Sequence, residues 1–312
     1  MLIKKVNWPS VRRGINELFL NSYGRPIAKE YLEWRYFDNE KEELLLAIEH
    51  HKNKLVASYS AFPVDLILNQ VVFKTAMSMT TMTHTEWRGK GLFQKLALEL
   101  YESMQNCLGV RAIWGFPNAS SHATFGSKLL WSDIYEIPTL TLNLSSVDIK
   151  NISQSKQVIR DDDFSLVYPN LSRDGLIRVN RTKEYLLWRY KKNPSNEYQN
   201  FVLSQEGQVT SYVVLKTYGG DIDLVDIQTS SPDDACILLM HIIRVGYDAG
   251  VKKMYCWAPT HHYIHGVLER LGFVNDHPIT YFGGRELIAS SMPLDWLNYK
   301  SWYIQMGDSD VY

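Results

Sequence analysis

Hydrophobic positions change their spacing along this chain in an order that occurs twice. Stretches with apolar residues at helical spacing alternate with runs that have the period of a strand. In the first half, the pattern predicts helices at about 10–23, 27–37, 91–107 and 120–130, strands at 44–49, 55–61, 66–68, 71–83 and 112–116, and a pair of strands at 134–144. In the second half, it predicts a helical stretch that ends at 188–190, helices at 233–249 and 263–271, and strands at 201–204, 209–216, 222–228 and 253–257. This succession predicts an α/β fold, of the α+β kind, with two similar domains.

A short sequence repeat supports the duplication. Tyr31-Leu-Glu-Trp-Arg-Tyr36 recurs as Tyr185-Leu-Leu-Trp-Arg-Tyr190, about half the chain further on. A repeat at this distance indicates a duplicated domain, because the repeats of solenoids and propellers are only about 20–50 residues long. The polar segment 150–163 lacks apolar periodicity, which predicts a linker between an N-terminal domain, 1–149, and a C-terminal domain, 164–312.

The turn after the strand at 71–83 has a composition that suits a phosphate. It reads Glu86-Trp-Arg-Gly-Lys-Gly91 and leads directly into a helix. Gly89 and Gly91 let the backbone approach an anion, because they have no Cβ atom. The helix start offers unpaired N–H groups and the positive end of the helix dipole, and Arg88 and Lys90 add charge. We therefore predict a pyrophosphate site here. The spacing is neither that of a Walker loop nor that of a Rossmann fingerprint.

The corresponding segment of the second half is chemically different. It reads Thr229-Ser-Ser-Pro-Asp-Asp234, with no glycine and with two acidic residues. Carboxylates at a helix start repel a phosphate, although Ser231 or Asp233 would cap the helix well. We expect the second half to have lost the binding of a phosphorylated cofactor and to serve another purpose.

Composition narrows the class of protein. The chain has 312 residues, of which 45% are hydrophobic and 21% charged, and its net charge is −1. This balance is typical of a globular protein and gives no field that would attract nucleic acid or a membrane surface. Cys107, Cys236 and Cys256 are far apart and have no CxxC spacing, which favours reduced thiols over disulfides or a metal site. Since the first nine residues also lack the apolar run of a signal peptide, we expect a cytoplasmic protein.

Two segments resemble motifs of the GNAT superfamily of acyl-CoA-dependent N-acyltransferases. Glu86 to Gly91 is similar to motif A, (Gln/Arg)-x-x-Gly-x-(Gly/Ala), with Glu86 in place of its first residue. Asn118 to Trp131 is similar to motif B, in which an Asn after the fifth strand precedes a Tyr. Together with the repeat, the resemblance implies two tandem GNAT-like domains, each a mixed and mostly antiparallel sheet flanked by helices.

The resemblance also implies where the co-substrate acyl-CoA binds. The pyrophosphate would lie on the backbone N–H groups of the turn, and the pantetheine arm would pair with the preceding strand like an added strand. Asn118 and the adjacent Ser121 would orient the pantetheine or, alternatively, only cap the following helix. The implied CoA contacts are Thr81, Met82, Thr83, Arg88, Gly89, Lys90, Gly91, Leu92, Phe93, Asn118, Ser121 and Phe125.

The catalytic groups are less well defined by the sequence. Phe125 stands where family members often have the Tyr that protonates the leaving thiolate, so either another group serves or the thiolate leaves without a dedicated acid. His84 and His122 are candidates for the base that deprotonates the acceptor amine, the alternative being exposed loop histidines. Asp226 could bind an ammonium group or a sugar hydroxyl, or be a simple edge-strand acid.

The aromatic segment from Trp302 to Tyr312 is predicted to pack back onto the protein, in the cleft between the two domains or as a capping turn at the edge. In the cleft, Asp308 and Asp310 would contact sugar hydroxyls or an amine.

A narrower resemblance concerns the acceptor. Tandem GNAT proteins with a Trp-(Lys/Arg)-Tyr helix end and a Gly307-Asp-Ser-Asp310 segment resemble acyltransferases of bacterial surface-polysaccharide (lipopolysaccharide) clusters. This implies transfer of an acetyl or 3-hydroxybutanoyl group from CoA to the amine of a dTDP-linked 3-amino-3,6-dideoxy sugar, by direct attack in a ternary complex. The alternatives are another amine, such as a peptide, a lysine or an antibiotic, and a non-catalytic acyl-CoA sensor. Either a monomer or a homodimer is compatible with the sequence.

Overall fold

The computed structural model describes residues 8–39, 41, 44–152, 154–169 and 174–312. The expectation of an N-terminus without a signal peptide therefore falls mainly outside the described residues. The helices are α1 (Trp8–Tyr23), α2 (Lys29–Tyr36), α3 (Leu92–Ser103), α4 (His122–Leu129), α5 (Lys183–Leu186), α6 (Pro232–Asp248) and α7 (Tyr263–Arg270). Among the described residues, no helix is both long enough and apolar enough to cross a bilayer.

The strands follow the predicted order closely. They are β1 (Leu45–His51), β2 (Lys54–Leu68), β3 (Val71–Thr83), β4 (Ala112–Gly115), β5 (Ser132–Ile137), β6 (Thr139–Asn143), β7 (Val158–Arg160), β8 (Arg178–Val179), β9 (Tyr198–Gln205), β10 (Gln208–Tyr218), β11 (Asp221–Gln228), β12 (Lys253–Trp257), β13 (Val274–Asn275) and β14 (Thr280–Glu286). The strands predicted at 55–61 and 66–68 are one continuous strand, β2, which is buried along most of its length.

The strands form two sheets of similar design. One has the order β1-β2-β3-β4-β14-β5, and the other the order β13-β6-β12-β11-β10-β9-β7. Within each sheet, one described pairing is parallel, β3 with β4 and β11 with β12, and the others that are described are antiparallel. This confirms the predicted fold class of two mixed, mostly antiparallel sheets with helices.

The chain divides into two compact units whose limits differ from a simple cut near residue 150. The first unit comprises the described residues of 1–66, 72–135 and 281–297, and the second those of 67–71, 136–280 and 298–312. Each half gives one strand to the other sheet, since β6 pairs with β12 and β14 pairs with β4. The segment 150–163, which we predicted as a linker, contains β7, and β7 pairs with β9 at the edge of the second sheet.

Each unit has its own hydrophobic core. In the first unit, α3 presents Leu96, Ala97, Leu100 and Tyr101 on one face, and these side chains pack among the apolar residues of β1 and β2. In the second unit, α6 begins at the side-chain cap of Ser231, with Pro232 in its first turn, and buries its apolar face in the same way. In each unit, the packing of an amphipathic helix on the sheet therefore stabilises that unit's own core.

Candidate functional site

In the first unit, the two parallel strands of the sheet separate and leave backbone groups open. β3 pairs with β4 at Thr75–Ala112, Ala76–Ile113 and Met77–Trp114, but β4 ends one residue later while β3 continues to Thr83. Gly115 lies at the apex of this opening, where a Cβ atom would be only 3.1 Å from the carbonyl oxygen of Ser78. Along the open part, the strand contains Thr80 with a positive φ of 36°, an unusual conformation for a residue other than glycine. The opening can accept an extended chain along β3.

The glycine turn at the end of β3 has the backbone geometry that the sequence predicts. Gly89 and Gly91 have φ values of 75° and 74°, which other residues adopt only with strain. Gly91 is the N-cap of α3 and supplies no side-chain cap, so this residue leaves the first N–H groups of the helix open to a ligand. Since all residues from Arg88 to Gly91 are exposed, an anion can reach these N–H groups from solvent.

Two cations flank this helix start. Arg88 Nε lies 3.4 Å from the carbonyl oxygen of Thr83, and Lys90 Nζ lies 4.1 Å from the centre of the Trp87 ring. Neither cation forms a salt bridge with another described residue, so both retain a charge that is available to a ligand. The Tyr23 hydroxyl, 3.4 Å from the carbonyl oxygen of Thr81, approaches the same end of β3.

The motif B residues form the start of α4. The side-chain oxygen of Asn118 accepts hydrogen bonds from the N–H groups of Ser120 and Ser121, both at 3.0 Å, and the Ser121 hydroxyl donates to the Asn118 carbonyl. In this structure, Asn118 therefore shapes the turn. His122 Nε2 lies 2.7 Å from the Asp133 carboxylate, and its ring stacks on Tyr281 at a centroid distance of 3.8 Å. A carboxylate in this position orients an imidazole ring.

His84 has a different environment. Its side chain is buried, its Nδ1 lies 3.4 Å from the N–H of Glu86, and its Nε2 lies 3.0 Å from Lys54 Nζ. The backbone N–H of His84 donates to the Val56 carbonyl oxygen. The ring holds the turn after β3 in place, and both of its nitrogens already have partners, so the geometry favours a structural role over that of a base.

Phe125 lies in an aromatic cluster that sequence reasoning did not foresee. Its ring contacts Phe93 and Trp131 at centroid distances of 5.3 and 4.6 Å, and Phe93 in turn contacts Tyr59 at 5.7 Å. Phe125 has no hydroxyl, but Tyr59 brings one into this cluster. The hydroxyl of Tyr59 lies 2.7 Å from that of Tyr101 and 2.8 Å from that of Ser78. No local motif could have indicated this group, because its members come from β2, β3, α3, α4 and the segment after α4.

The second unit also has separating parallel strands, but the chain itself occupies the open part. β11 pairs with β12 only from Ile222 to Leu224. Further along, the N–H of Ile227 donates to the Gln305 side chain at 3.1 Å, and the Tyr303 hydroxyl donates to the Ile227 carbonyl oxygen at 2.6 Å. The segment after Trp302 thus uses the strand groups that a ligand arm would need, which gives a second reason for the expected loss of cofactor binding.

The repeated Trp-Arg-Tyr segment holds this tail. Arg189 donates to the carbonyl oxygens of Gly307 and Ser309 at 3.1 and 3.0 Å. Gly307 fits because a Cβ atom would lie 2.3 Å from the Tyr190 hydroxyl. In the first unit, the corresponding Arg35 is also buried, and its Nε contacts Met79 Sδ at 3.0 Å.

The acidic candidates of the second unit form a buried charge cluster. Arg181 Nε lies 2.7 Å from the Asp226 carboxylate, and its Nη2 lies 2.8 Å from that of Asp308. Asp226 also accepts from Tyr190 and Gln228, and Asp308 from the N–H of Gln305. Both carboxylate side chains are inaccessible to solvent and fully engaged, which favours a structural role over the substrate contacts that we predicted.

Burial raises the pKa of Asp308 to about 6, and the attraction to Arg181 opposes this rise. Asp310 is half-buried near the end of the same tail.

A polar pocket of about 650 Å³ lies within the second unit. Its wall includes Arg178, whose guanidinium is nearly buried, donates to Gln228 at 2.9 Å and lies over the Tyr303 ring at 4.6 Å. Arg178 Nε has no hydrogen-bond partner within the described part of the chain. Asp174 pairs with Arg178, and its carboxylate lies 3.4 Å from His262 Nε2. These groups and aromatic rings provide both hydrogen bonds and a flat surface for a polar ligand.

No group of three or more His, Cys, Asp or Glu side chains with the geometry for a metal ion occurs among the described residues.

Comparison with known proteins identifies the fold. Residues 3–130 match the family model of the acetyltransferase (GNAT) domain. A conserved protein from Enterococcus faecalis V583, described as a probable N-acyltransferase, matches with a TM-score of 0.69 at 14% identity, over 92% of this chain and 73% of that chain. A GCN5-related N-acetyltransferase from Kribbella flavida matches with a TM-score of 0.65 at 12% identity, over 92% and 72%.

A third similar structure is Saccharomyces cerevisiae N-myristoyltransferase with bound myristoyl-CoA, with a TM-score of 0.60 at 14% identity, over 88% of this chain and 79% of that chain. A comparison with curated proteins gives no match. At these identities, the structural matches establish a shared fold, while the family model covers the part of the chain that contains β3, the glycine turn and α3. Residues 3–130 thus match the model of a GNAT acetyltransferase domain, and this match together with the shared fold supports the assignment of the protein as an N-acyltransferase.

Proposed function

We propose that the protein transfers an acetyl or 3-hydroxyacyl group from acyl-CoA to the amine of a nucleotide-linked amino sugar, such as a dTDP-3-amino-3,6-dideoxyhexose. The observation that carries the CoA part of this proposal is the opening between β3 and β4, which leads to an uncapped helix start at Gly91. An extended arm and an anionic head are the two features of CoA that such a site would accommodate.

The proposed binding mode uses main-chain groups first. The pyrophosphate accepts hydrogen bonds from the N–H groups between Arg88 and Phe93, and Arg88 and Lys90 neutralise its charge. The pantetheine arm pairs with Thr81, Met82 and Thr83 of β3. The carbonyl oxygens of Thr81 and Thr83 are now approached by Tyr23 and Arg88 at 3.4 Å, so these two long contacts give way when the arm binds.

The proposed reaction is a direct attack in a ternary complex. The acceptor nitrogen forms a bond to the thioester carbon, the oxyanion is stabilised by N–H groups of β3, and the C–S bond then breaks. Of the two histidines that we predicted as bases, His122 has the better geometry. Asp133 holds its Nε2, which leaves Nδ1 for the proton of the amine.

The polar pocket of the second unit supports a polar acceptor. Arg178, Gln228 and His262 offer donors and acceptors, and Tyr263 and Tyr303 offer flat apolar faces, a combination that suits a hydroxylated, ring-shaped group. We propose that this pocket binds the sugar nucleotide part of the acceptor.

Acyl-CoA binding and turnover test this proposal separately. Binding of acetyl-CoA is measured by calorimetry, and release of the thiol is measured with a panel of amines that contains a dTDP-amino sugar, glucosamine, lysine and a peptide. Gly89→Glu should abolish binding, because it adds strain, bulk and a negative charge at the anion site. Gly109→Glu is the matched control, since Gly109 also has a positive φ, of 65°, and no atom within 4 Å of its would-be Cβ.

Equal binding in the wild type and Gly89→Glu would contradict the proposed CoA site. Thiol release with the peptide or lysine, but not with the sugar, would contradict the proposed acceptor. Tight CoA binding without release by any amine would favour a sensor.

A further inference from the structure

A chain of hydroxyl groups runs through the core of the first unit and ends in the opening between β3 and β4. Trp131 Nε1 donates to the Tyr101 hydroxyl at 3.0 Å, Tyr101 lies 2.7 Å from the Tyr59 hydroxyl, and Tyr59 lies 2.8 Å from the Ser78 hydroxyl. Tyr59 and Tyr101 are buried, whereas Ser78 is only half-buried. The polar chain therefore has one closed end, at Trp131, and one open end, at Ser78.

The closed end fixes the direction of every hydrogen bond in the chain. An indole N–H can only donate, so the Tyr101 oxygen must accept from Trp131. A buried hydroxyl proton without a partner is costly, and the partner available to Tyr101 within the described residues is Tyr59. Tyr59 in turn donates to Ser78. Ser78 is thus an acceptor for Tyr59, and its own proton is left for a group in the opening.

The two tyrosines stay in the protonated form that this order requires. Burial raises the pKa of both phenols, that of Tyr101 to well above its ordinary value. Successive hydrogen bonds in one direction polarise each other, which makes the last O–H of the chain a stronger donor.

Ser78 lies at the depth in the opening that the sulfur of a bound CoA would reach. It follows Met77, the last residue of β3 that pairs with β4, and it adjoins Gly115 at the apex. Thr83 lies five positions further along β3, a distance of about 17 Å at roughly 3.3 Å per residue. The pantetheine arm has roughly thirteen bonds between phosphorus and sulfur, and by the reach of an extended chain this is about 15 Å.

We propose that Ser78 is a catalytic residue, whose hydroxyl donates a hydrogen bond to the sulfur of acyl-CoA and stabilises the departing thiolate, with Tyr59 and Tyr101 as positioning residues. The inference rests on the proposed function, because it takes the pantetheine arm to lie along β3. When the amine attacks, the C–N bond forms and the C–S bond breaks with its electron pair on sulfur. The proton lost by the amine balances the charge of the thiolate. Ser78 supplies only a hydrogen bond, and this is the contribution that Phe125 is unable to make.

The titration of bound CoA tests this inference without an acceptor. The ultraviolet absorbance of the thiolate reports the pKa of the CoA thiol in the complex. A hydrogen bond to a charged group corresponds to a shift of about one to two pKa units. In the wild type, the thiol pKa should lie below that of free CoA, and in Ser78→Ala it should rise by this amount. Ser78→Thr, which keeps the hydroxyl, should restore the low value.

Variants of Tyr59 and Tyr101 show whether these tyrosines position Ser78 or only stabilise the core. The rise in thiol pKa should decrease in the order Ser78→Ala, Tyr59→Phe, Tyr101→Phe, because each hydroxyl is one bond further from the sulfur. The loss of melting temperature should be larger for Tyr101→Phe than for Ser78→Ala. The former leaves the Trp131 N–H without its partner in the core, whereas in the latter water from the opening can replace Ser78 as the acceptor for Tyr59. Ser211→Ala is the control, since Ser211 is a buried serine of the second unit whose hydroxyl donates to Asp234 at 2.7 Å and takes no part in this row of hydroxyl groups.

The outcomes separate the two proposals. A thiol pKa that is equal in the wild type and Ser78→Ala, with CoA bound to both, would overturn the role of Ser78 and leave the proposed function intact. The role of Ser78 would also be overturned if the shifts in thiol pKa ranked the variants in the same order as their losses of melting temperature. If the wild type does not bind CoA, the proposed function fails and this inference fails with it.

Discussion

Arg181 Nη2 and the Asp308 carboxylate lie 2.8 Å apart, and the Asp308 side chain is inaccessible to solvent. The same guanidinium also binds Asp226, which is buried to the same degree. One cation thus compensates two carboxylates that are inaccessible to solvent. The arrangement ties the tail to β11 and removes both acids from contact with solvent.

We expect Arg181→Met to lower the free energy of unfolding by about 3–5 kcal/mol, because it leaves two buried carboxylates without their cation. Urea unfolding of the purified protein measures this change. Arg244→Met is the control. Arg244 forms an exposed pair with Asp248 at 3.0 Å, and such pairs contribute about 0–1 kcal/mol. Equal losses for the two variants would contradict the structural role of the cluster.

The pH dependence of stability follows from the direction of the pKa shift of Asp308. Burial raises this pKa from 3.8 to about 6, so the folded state binds more protons than the unfolded state between these values. The contribution of Asp308 to stability is present below about pH 4 and is lost as the pH rises to about 6. Asp174 acts in the opposite sense at lower pH. Burial tends to raise its pKa, but hydrogen bonds and charges from His262 and Arg178 outweigh this and lower it to about 2, so its contribution is lost as the pH falls from about 4 to 2.

Unfolding in urea from pH 3.5 to 7 should show the decline that Asp308 causes in the wild type, and Asp308→Asn should reduce it. The Asn side chain can still accept the hydrogen bond from Gln305, so the tail keeps this contact. An identical slope in the wild type and Asp308→Asn would mean that Asp308 does not titrate in this range.

The cations of the glycine turn should make CoA binding sensitive to salt. Arg88→Ala and Lys90→Ala should each weaken CoA binding by about three- to tenfold at low ionic strength, and the loss should shrink as salt is added. Lys128→Ala, an exposed lysine in the last turn of α4, is the control and should leave the affinity unchanged. Calorimetric titrations at two salt concentrations would reveal whether the losses are independent of salt, which would argue against direct charge pairing.

Filling the polar pocket should affect the acceptor and spare CoA. Ser230 lies on the pocket wall and is exposed, so Ser230→Trp introduces bulk without disturbing the core. We expect the KM for the dTDP-amino sugar to rise by an order of magnitude or more, with an unchanged Kd for acetyl-CoA. A KM that stays constant in this variant would place the acceptor elsewhere.

The hydrophobic pattern determined most elements of the fold. The helix after Gly91 and the strand at 71–83 were predictable because an amphipathic helix and a half-buried strand have distinct periods. The glycine turn was equally clear, since positive φ at Gly89 and Gly91 is a local property of the backbone. The strand β14 was missed, because its segment contains two glycines and only a short apolar run.

The sheet to which a strand belongs could not be derived from the local pattern. β6 belongs to the first half in sequence but pairs with β12. The partner of a strand is the strand whose edge lies next to it in the folded protein, and this is not a local property of the sequence. For the same reason, a cut near residue 150 looked natural in the sequence, whereas the compact units exchange segments.

The sequence alone therefore determined the duplicated α/β plan and the anion-binding turn at Gly89 and Gly91, because periodicity and glycine conformation are local properties. Only the tertiary structure revealed the hydroxyl chain from Trp131 to Ser78, and only it buried Asp226 and Asp308 around one arginine. Hydrogen bonds between side chains far apart in sequence depend on where packing places them. A local pattern in a single sequence does not indicate which distant side chains will lie next to each other.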